Sequence, residues 1–435
     1  MGHISNPERE YRLLQQRLDR NVTGAPQSPT FTKILQLLFS PDEAEIARRI
    51  PSQPIPLDTI SKKLNIPFDE LSDKMTDMAQ RGLVIDMERN GRRYVALPPV
   101  IIGFFEYTFM RTRENAPMME LAQLFDDYMT QDDRFARSVF TSQTQLGRSL
   151  VREESLPEGD YTEILDWERA SQIVQSASTL GVSLCACRHK KSHLGKACDR
   201  PQKTCLTLNY GAEVMIRSGL ADRITAAEGI GILEECKEAG MAQTGDNVQR
   251  KMTYICNCCG CCCGMMEAIN TCNIRNAIVS SNWIMQVDLA KCKGCGKCAQ
   301  VCPVGAIAIA EEKEGEKKRR WAVRDADLCL GCGVCCSSCE FGGASMQPRE
   351  KRVLTPETLF DRVATMAIER GKLAHLIFNN HDKLSHRAMS RIVGVIEKSP
   401  PFKAAMAIEP LKSTFLNNVV KGANRKAKQV REEVT

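Results

Sequence analysis

Nowhere in the 435 residues is there a run of about eighteen consecutive apolar residues, which excludes a membrane-spanning helix by length. The most apolar run, Val100 to Phe105, is far too short. The opening stretch MGHISNPERE has neither a hydrophobic core nor a small-residue cleavage site, so the expectation is no export signal and a cytoplasmic location. Strong charge of one sign is also missing. The net charge of +6 is spread along the chain, apart from EEKEGEKKRR at 311–320 and the tail, and by itself it predicts neither a nucleic-acid nor a lipid partner. Cysteine is absent before Cys185 and after Cys339.

All 21 cysteines therefore fall in one central stretch. The number is odd and very large. In a compartment that keeps thiols reduced, such density points to metal rather than to disulfides. Thiolate clusters oxidise readily, so an oxygen-poor host is expected. The length allows two or three domains, each with an ordinary core.

Before the cysteines, Thr30 to Phe39 and Glu43 to Ile50 carry helical apolar spacing, with Ser40-Pro41-Asp42 supplying the stop and the cap between them. Two short amphipathic helices follow, at Leu57 to Leu64 and Phe68 to Arg81. LVIDMERNGRRYVAL then alternates apolar and polar residues about Asn90-Gly91, a hairpin signal because both turn positions need positive φ. Helices followed by a hairpin read as a winged helix over roughly residues 28–98. Its second helix carries Asp69, Glu70, Asp73 and Asp77 against Lys74 and Arg81. An acidic helix is repelled by phosphate, so the segment reads as a protein-contact or dimerisation surface, with DNA binding the rival. Residues 99–180 look helical throughout. From Thr355 the tail is helical again, with Pro400-Pro401 as a break, and its last residues are basic. That basic end reads as a solvated or docking face, with peripheral membrane contact as the lesser reading.

The sharpest signal is Cys292-x2-Cys295-x2-Cys298-x3-Cys302-Pro303, echoed by Cys329-x2-Cys332-x2-Cys335-x3-Cys339. Three cysteines on one tight loop reach three irons of a cube, and glycines at 294, 296, 331 and 333 let the backbone turn around the sulfurs. A structural zinc site would need four ligands and no third cysteine in each loop. The second copy lacks the proline, and Cys336 is an extra. This repeat, over about residues 284–348, resembles the two-[4Fe-4S] ferredoxin fold. The resemblance implies crossed ligation: Cys292, Cys295, Cys298 and Cys339 on one cluster, and Cys329, Cys332, Cys335 and Cys302 on the other.

Upstream lie Cys185, Cys187, Cys198 and Cys205, then Cys256, Cys258, Cys259, Cys261, Cys262 and Cys263. A helical stretch from Asn209 to about Ala239 would bring the two groups together. Thiolates repel one another, so their convergence needs a soft metal. At least one additional [4Fe-4S] cluster is expected here, with Cys185, Cys198, Cys205 and one or more of Cys256, Cys258, Cys259, Cys262 and Cys263 as ligands. Vicinal cysteines are expected to split between directions, which leaves thiols for a second site. Cys236 and Cys272 stand apart and read as buried small hydrophobes. His189 and His193 stand four apart; with Arg188, Lys190 and Lys191 they read as a basic collar around an anionic cluster rather than as ligands.

Cys258-Cys259-Gly260 is similar to the CCG motif of heterodisulfide-reductase-type subunits, which hold noncubane clusters, although the spaced downstream cysteines of that motif are missing. Over nearly its full length the chain resembles multi-domain 4Fe-4S dicluster proteins of anaerobic bacteria. The shared features are FSPDEAEIA, GFFEYTFMR, CACRHKKSHLGKACDRP, YICNCCGCCC and the ferredoxin repeat. That resemblance implies electron transfer.

The expected fold is α+β: a winged-helix-like domain at 1–98, a helical region at 99–180, a cysteine-rich iron-sulfur domain at 181–283, a two-[4Fe-4S] ferredoxin domain at 284–350 and a helical basic tail at 351–435. The expected function is single-electron relay between a low-potential donor and a partner oxidoreductase, with redox proteins as partners and a homodimer possible. The rivals are a reductase whose upstream cluster has an open iron site and a redox-sensing winged-helix regulator. Catalytic residues are not assigned.

Overall fold

In the computed structural model the described residues are 7–113, 116–131, 133–156, 166–314, 317–378 and 384–406. The chain mixes helix and sheet around four sheets, with thirteen strands among the described residues.

The amino-terminal part follows its local signals closely. Ser28 caps the helix Pro29–Leu38, and Ser40 with Glu43 forms a capping box on Pro41–Ala47. Helices Leu57–Leu64 and Phe68–Gln80 follow. Strands β1 (Ile55–Pro56), β2 (Ile85–Arg89) and β3 (Arg92–Ala96) form an antiparallel sheet in the order β1-β3-β2. The hairpin turns at Asn90 and Gly91, both at positive φ.

Residues 99–180 are not helical throughout. Helices Phe105–Phe109, Met118–Thr130, Arg134–Phe140 and Ala170–Ser176 are there, but β4 (Gly147–Ser149) interrupts them and β5 (Leu180–Ser183) ends the stretch. These strands belong to a sheet whose other members lie far downstream, so nothing local announces them. The sheet adds β6 (Cys205–Leu208), β7 (Asp222–Arg223), β8 (Ala242–Asp246) and β9 (Tyr254–Cys258), antiparallel in the order β4-β8-β9-β6-β5-β7. The expected helix from Asn209 to Ala239 is two helices, Asn209–Arg217 and Ala226–Glu238, with β7 between them. Ser218-Gly219 ends the first, Gly219 taking positive φ, and Thr225 caps the second.

Side chains alternate across a strand, so this sheet has two unlike faces. Leu180, Val182, Leu206, Leu208 and Ile255 point one way into an apolar core shared with Val174 and Leu233 of the helices. Cys205, Thr207, Tyr254, Cys256 and Cys258 point the other way, toward the amino-terminal helices.

The downstream part pairs β10 (Trp283–Val287) with β13 (Ala344–Pro348) and β11 (Ile307–Glu314) with β12 (Lys317–Arg324). The described residues of the charged run at 311–320 thus lie on the paired ends of these two strands, with Glu311 and Lys318 3.2 Å apart. Two short helices, Lys297–Val301 and Val334–Ser337, each start from a glycine at positive φ, Gly296 and Gly333. The tail forms helices Leu359–Glu369, Leu373–Ile377, Leu384–Lys398 and Pro400–Met406, so Pro400 opens a helix as well as ending one. The basic end beyond Met406 lies outside the described residues.

Candidate iron-sulfur centres

The eight ferredoxin cysteines fall into two groups. Cys292, Cys295, Cys298 and Cys339 line one hollow with Met285, Ile309 and Phe341. Cys302, Cys329, Cys332 and Cys335 line a second with Val304, Ile307 and Met346. Each hollow mixes the loop of one copy with the last cysteine of the other. Gly294 and Gly331 make this possible. At φ +60° a Cβ on Gly294 would stand 2.4 Å from the Arg320 carbonyl oxygen, and at φ +67° one on Gly331 would stand 2.1 Å from that of Trp283. Backbone passes where a side chain has no room, which brings the loops onto the hollows.

The two hollows differ in exposure. Cys295 is exposed, with Lys293 and Lys297 beside it, whereas Cys332 and Cys335 are both buried. Burial pushes the Cys298 thiol up to about 11, and Cys302 moves in the same direction for the same reason. Thiols held this way would release their protons on binding a metal rather than to water. Cys336 sits beside Cys335, sulfur to sulfur 3.9 Å.

Residues 291–343 match the 4Fe-4S dicluster domain family. The chain is an iron-sulfur protein. Four thiols around each of two hollows, on glycine-turned loops, fit a [4Fe-4S] group in donor number and chemistry. The match covers only the downstream part, and no curated protein and no solved structure matches the chain.

The ten upstream cysteines do not gather at one point. Cys198, Cys259, Cys261 and Cys262 form a tetrad whose sulfurs all lie within 4.8 Å of one another. Cys198 and Cys259 are 3.6 Å apart, Cys198 and Cys262 3.8 Å, and Cys261 and Cys262 3.7 Å. Four thiolates around a single ion at about 2.3 Å form a tetrahedron with edges of about 3.8 Å. Thiolates on a cube bind separate irons and stand further apart; accordingly, no three ferredoxin sulfurs come within 4.8 Å of one another among the described residues. The tetrad therefore fits one metal ion. Of the neighbouring cysteines, Cys261 and Cys262 both join it, whereas Cys258 and Cys263 turn away toward a chamber.

Cys185, Cys187, Cys205, Cys256, Cys258 and Cys263 line a separate chamber of about 410 Å³, and Cys262 reaches its edge. The expected ligand set that mixed Cys185, Cys198 and Cys205 is thus divided between two places. Strand register explains the division. Cys205, Cys256 and Cys258 share one face of the sheet, Cys263 caps the helix Gly264–Asn270, and Cys185 caps Ala186–His193. Cys259 lies just past the end of β9 and joins the tetrad instead.

Arg188, wholly buried, joins the two places. Its guanidinium donates to the Asn257 carbonyl at 3.1 Å and to Cys259 Sγ at 3.8 Å. Burial works against its charge, but its interactions with Cys185 and Cys259 outweigh that and hold its pKa above the usual value. In return Cys259 is pushed down to about 4, first by a hydrogen bond from Cys262 and then by Arg188. Cys258 falls to about 6 through hydrogen bonds from Cys256 and Cys263. The thiolate is the state that binds metal, and in each place one thiol is shifted toward it.

The histidines and lysines do not form an open collar. His189 Nδ1 lies 2.8 Å from the Phe109 carbonyl, and His193 Nε2 lies 3.1 Å from His189 Nε2. Lys190 and Lys191 pair with Asp126 at 2.5 and 2.7 Å, and Lys191 also with Glu267 at 2.7 Å. The cations are spent holding the helix Ala186–His193 onto its neighbours. Cys236 and Cys272 are buried, as small hydrophobes would be.

Sequence reading missed one contact. A Cβ on Gly260 would stand 2.4 Å from the Pro303 carbonyl oxygen, and Asn270 Nδ2 donates to that oxygen at 3.0 Å. Pro303 follows Cys302 directly, so the buried ferredoxin hollow abuts the CCGCCC loop.

Proposed function

We propose that the chain relays single electrons between a low-potential donor and a partner oxidoreductase. Two [4Fe-4S] clusters, when bound, supply reversible one-electron reduction. Cys292, Cys295, Cys298 and Cys339 would hold one, and Cys302, Cys329, Cys332 and Cys335 the other; at least one further metal-thiolate centre would be held upstream. The observation that carries this reading is the four-and-four division of the ferredoxin cysteines, with the inner group seated against Gly260.

The chain's own residues then have distinct tasks. Cys295, exposed beside Lys293 and Lys297, offers the outer end to an acidic redox partner. Met285, Ile307 and Met346 keep water from the inner sulfurs. Pro303 and Gly260 bring the inner end against the upstream cysteines, with the Asn270 amide donating to both of their carbonyls. The front segment serves as a winged-helix-like module that docks within the chain. Arg217 of the helix Asn209–Arg217 pairs with Asp86 and Glu88 of its hairpin at 3.1 and 2.9 Å.

The test is oxygen-free purification of the full chain with iron and sulfide counts and paramagnetic resonance of the reduced protein. At least about eight irons per chain and signals from two interacting clusters are expected. Crossed ligation predicts that Cys339→Ser alters the same cluster signal as Cys292→Ser, while Cys302→Ser alters the other. Colourless protein, or zinc alone, would overturn the proposal.

A further inference from the structure

The upstream thiols pose a question that electron relay leaves open, because a relay needs no cavity. Protein interiors pack closely and rarely leave voids larger than a water molecule. The chamber under the cysteine face of the six-stranded sheet is about 410 Å³, within the range of small-molecule sites. Thr207 Oγ1 lies on its wall, buried and without a hydrogen-bond partner among the described residues. The rest of the lining is dominated by Ile101, Phe105, Met110, Met129, Val214 and Met215, with the phenols Tyr107, Tyr210 and Tyr254 among them.

The thiols follow one another around the wall. Cys205 adjoins Cys256, Cys256 adjoins Cys258, Cys258 adjoins Cys263, and Cys263 adjoins Cys187. Five donors in such an arc, with Cys185 also on the wall, exceed what one ion takes. They leave the chamber's centre open, unlike the tetrad, whose sulfurs already close on a point.

We propose that the ten upstream cysteines build two metal sites of different kind: a single-ion, four-thiolate site at Cys198, Cys259, Cys261 and Cys262, and an iron-sulfur site held by the chamber cysteines Cys185, Cys187, Cys205, Cys256, Cys258 and Cys263, with space beside it for a small, uncharged, largely apolar molecule. The single ion ties Cys198 to the loop that carries Gly260 and thereby fixes the wall between chamber and ferredoxin hollow. The chamber site is the end that the relay would serve, and to that extent the inference rests on the relay reading.

Two variants and one structure test it. Cys256→Ser/Cys258→Ser, reconstituted without oxygen, is expected to lose about four irons per chain while keeping both ferredoxin signals. Cys259→Ser/Cys261→Ser is expected to lose one metal equivalent and keep the chamber iron. Equal losses from the two variants would overturn the division. Should either variant fold poorly, anomalous diffraction from wild-type crystals at the iron and zinc edges gives the same answer. Several irons in the chamber and one atom at the tetrad are expected; an iron-free chamber overturns the proposal. Carbon monoxide, small and uncharged, is the probe for the open space. An infrared band of iron-bound carbon monoxide in the reduced wild type, absent from Cys256→Ser/Cys258→Ser, is expected. No band in the wild type refutes the open volume. Loss of the ferredoxin signals themselves would instead sink the relay reading, so the two failures are told apart.

Discussion

Gly331 shows at a single residue how backbone shape and metal donors are linked. It holds φ +67° with the Trp283 carbonyl in the place its side chain would take. Gly331→Ala must relieve the clash and the unfavourable φ together, a cost of about 1–3 kcal/mol for the dihedral alone. The expected outcome is a lower midpoint in thermal unfolding and loss of about half of the ferredoxin iron, read by metal analysis. Glu106 offers a second test. Its carboxyl accepts from the Gly103 amide at 2.8 Å on the chamber wall, and burial pushes its pKa up to about 8 from an ordinary 4.5. The folded state therefore holds this proton more tightly than the unfolded state does. Its stabilising effect is complete below about pH 4.5 and is lost as pH rises through about 8. One such group changes stability by up to about 1.4 kcal/mol per pH unit across that window. Glu106→Gln, which keeps the acceptor, should flatten the wild-type decline in melting temperature between pH 5 and pH 8; parallel curves would show that the carboxyl is not the cause.

At the scale of elements, the six-stranded sheet is an adapter between an apolar core and a thiol-lined chamber. Its edge strand β4 is fastened by Arg148, wholly buried and paired with wholly buried Glu168, while Glu168 also accepts from Asn282 Nδ2 at 2.8 Å just before β10. Removing one partner of a buried pair strands the other charge, at a cost of about 3–5 kcal/mol. Glu168→Gln is therefore expected to destabilise the sheet and the entry into the ferredoxin segment together, seen as lost hydrogen-exchange protection in both β4 and β10. The hairpin β2–β3 is committed elsewhere. Arg92 bonds both Asp58 oxygens at 2.9 and 3.0 Å, and Arg93 is held by Asp86, Ser72 and Thr76. With its arginines engaged and an acidic helix beside them, the segment has little to offer a phosphate backbone. No retardation of duplex DNA is expected in either redox state, and a retarded band that sharpens at low salt would overturn this.

For the whole molecule, the order of sites along the chain differs from their order in space. The exposed hollow at Cys295 lies outermost, the buried hollow at Cys332 and Cys335 lies behind it, and Gly260 lies against the latter through Pro303. Gly260→Ala should push these parts apart and slow reduction of the upstream metal while leaving the rate of first reduction by an external donor unchanged, measured by stopped-flow absorbance. Much was legible beforehand. The cysteine spacing at 292–302 and 329–339 announces its chemistry because ligation needs three thiols on one tight loop, and such a loop is local. The helix cap at Ser40, the Asn90-Gly91 hairpin and the helices at 57–64 and 68–80 were readable for the same reason. Strands β4 and β5 were not, since their partners lie far away and their residues carry no alternation long enough to read. The amino-acid order alone determined that this is an iron-sulfur protein and which loops turn around metal. Only the tertiary structure decided how the ten upstream thiols divide. A strand sends alternate side chains to opposite faces, and which face meets a chamber is set by the register of neighbours distant in sequence.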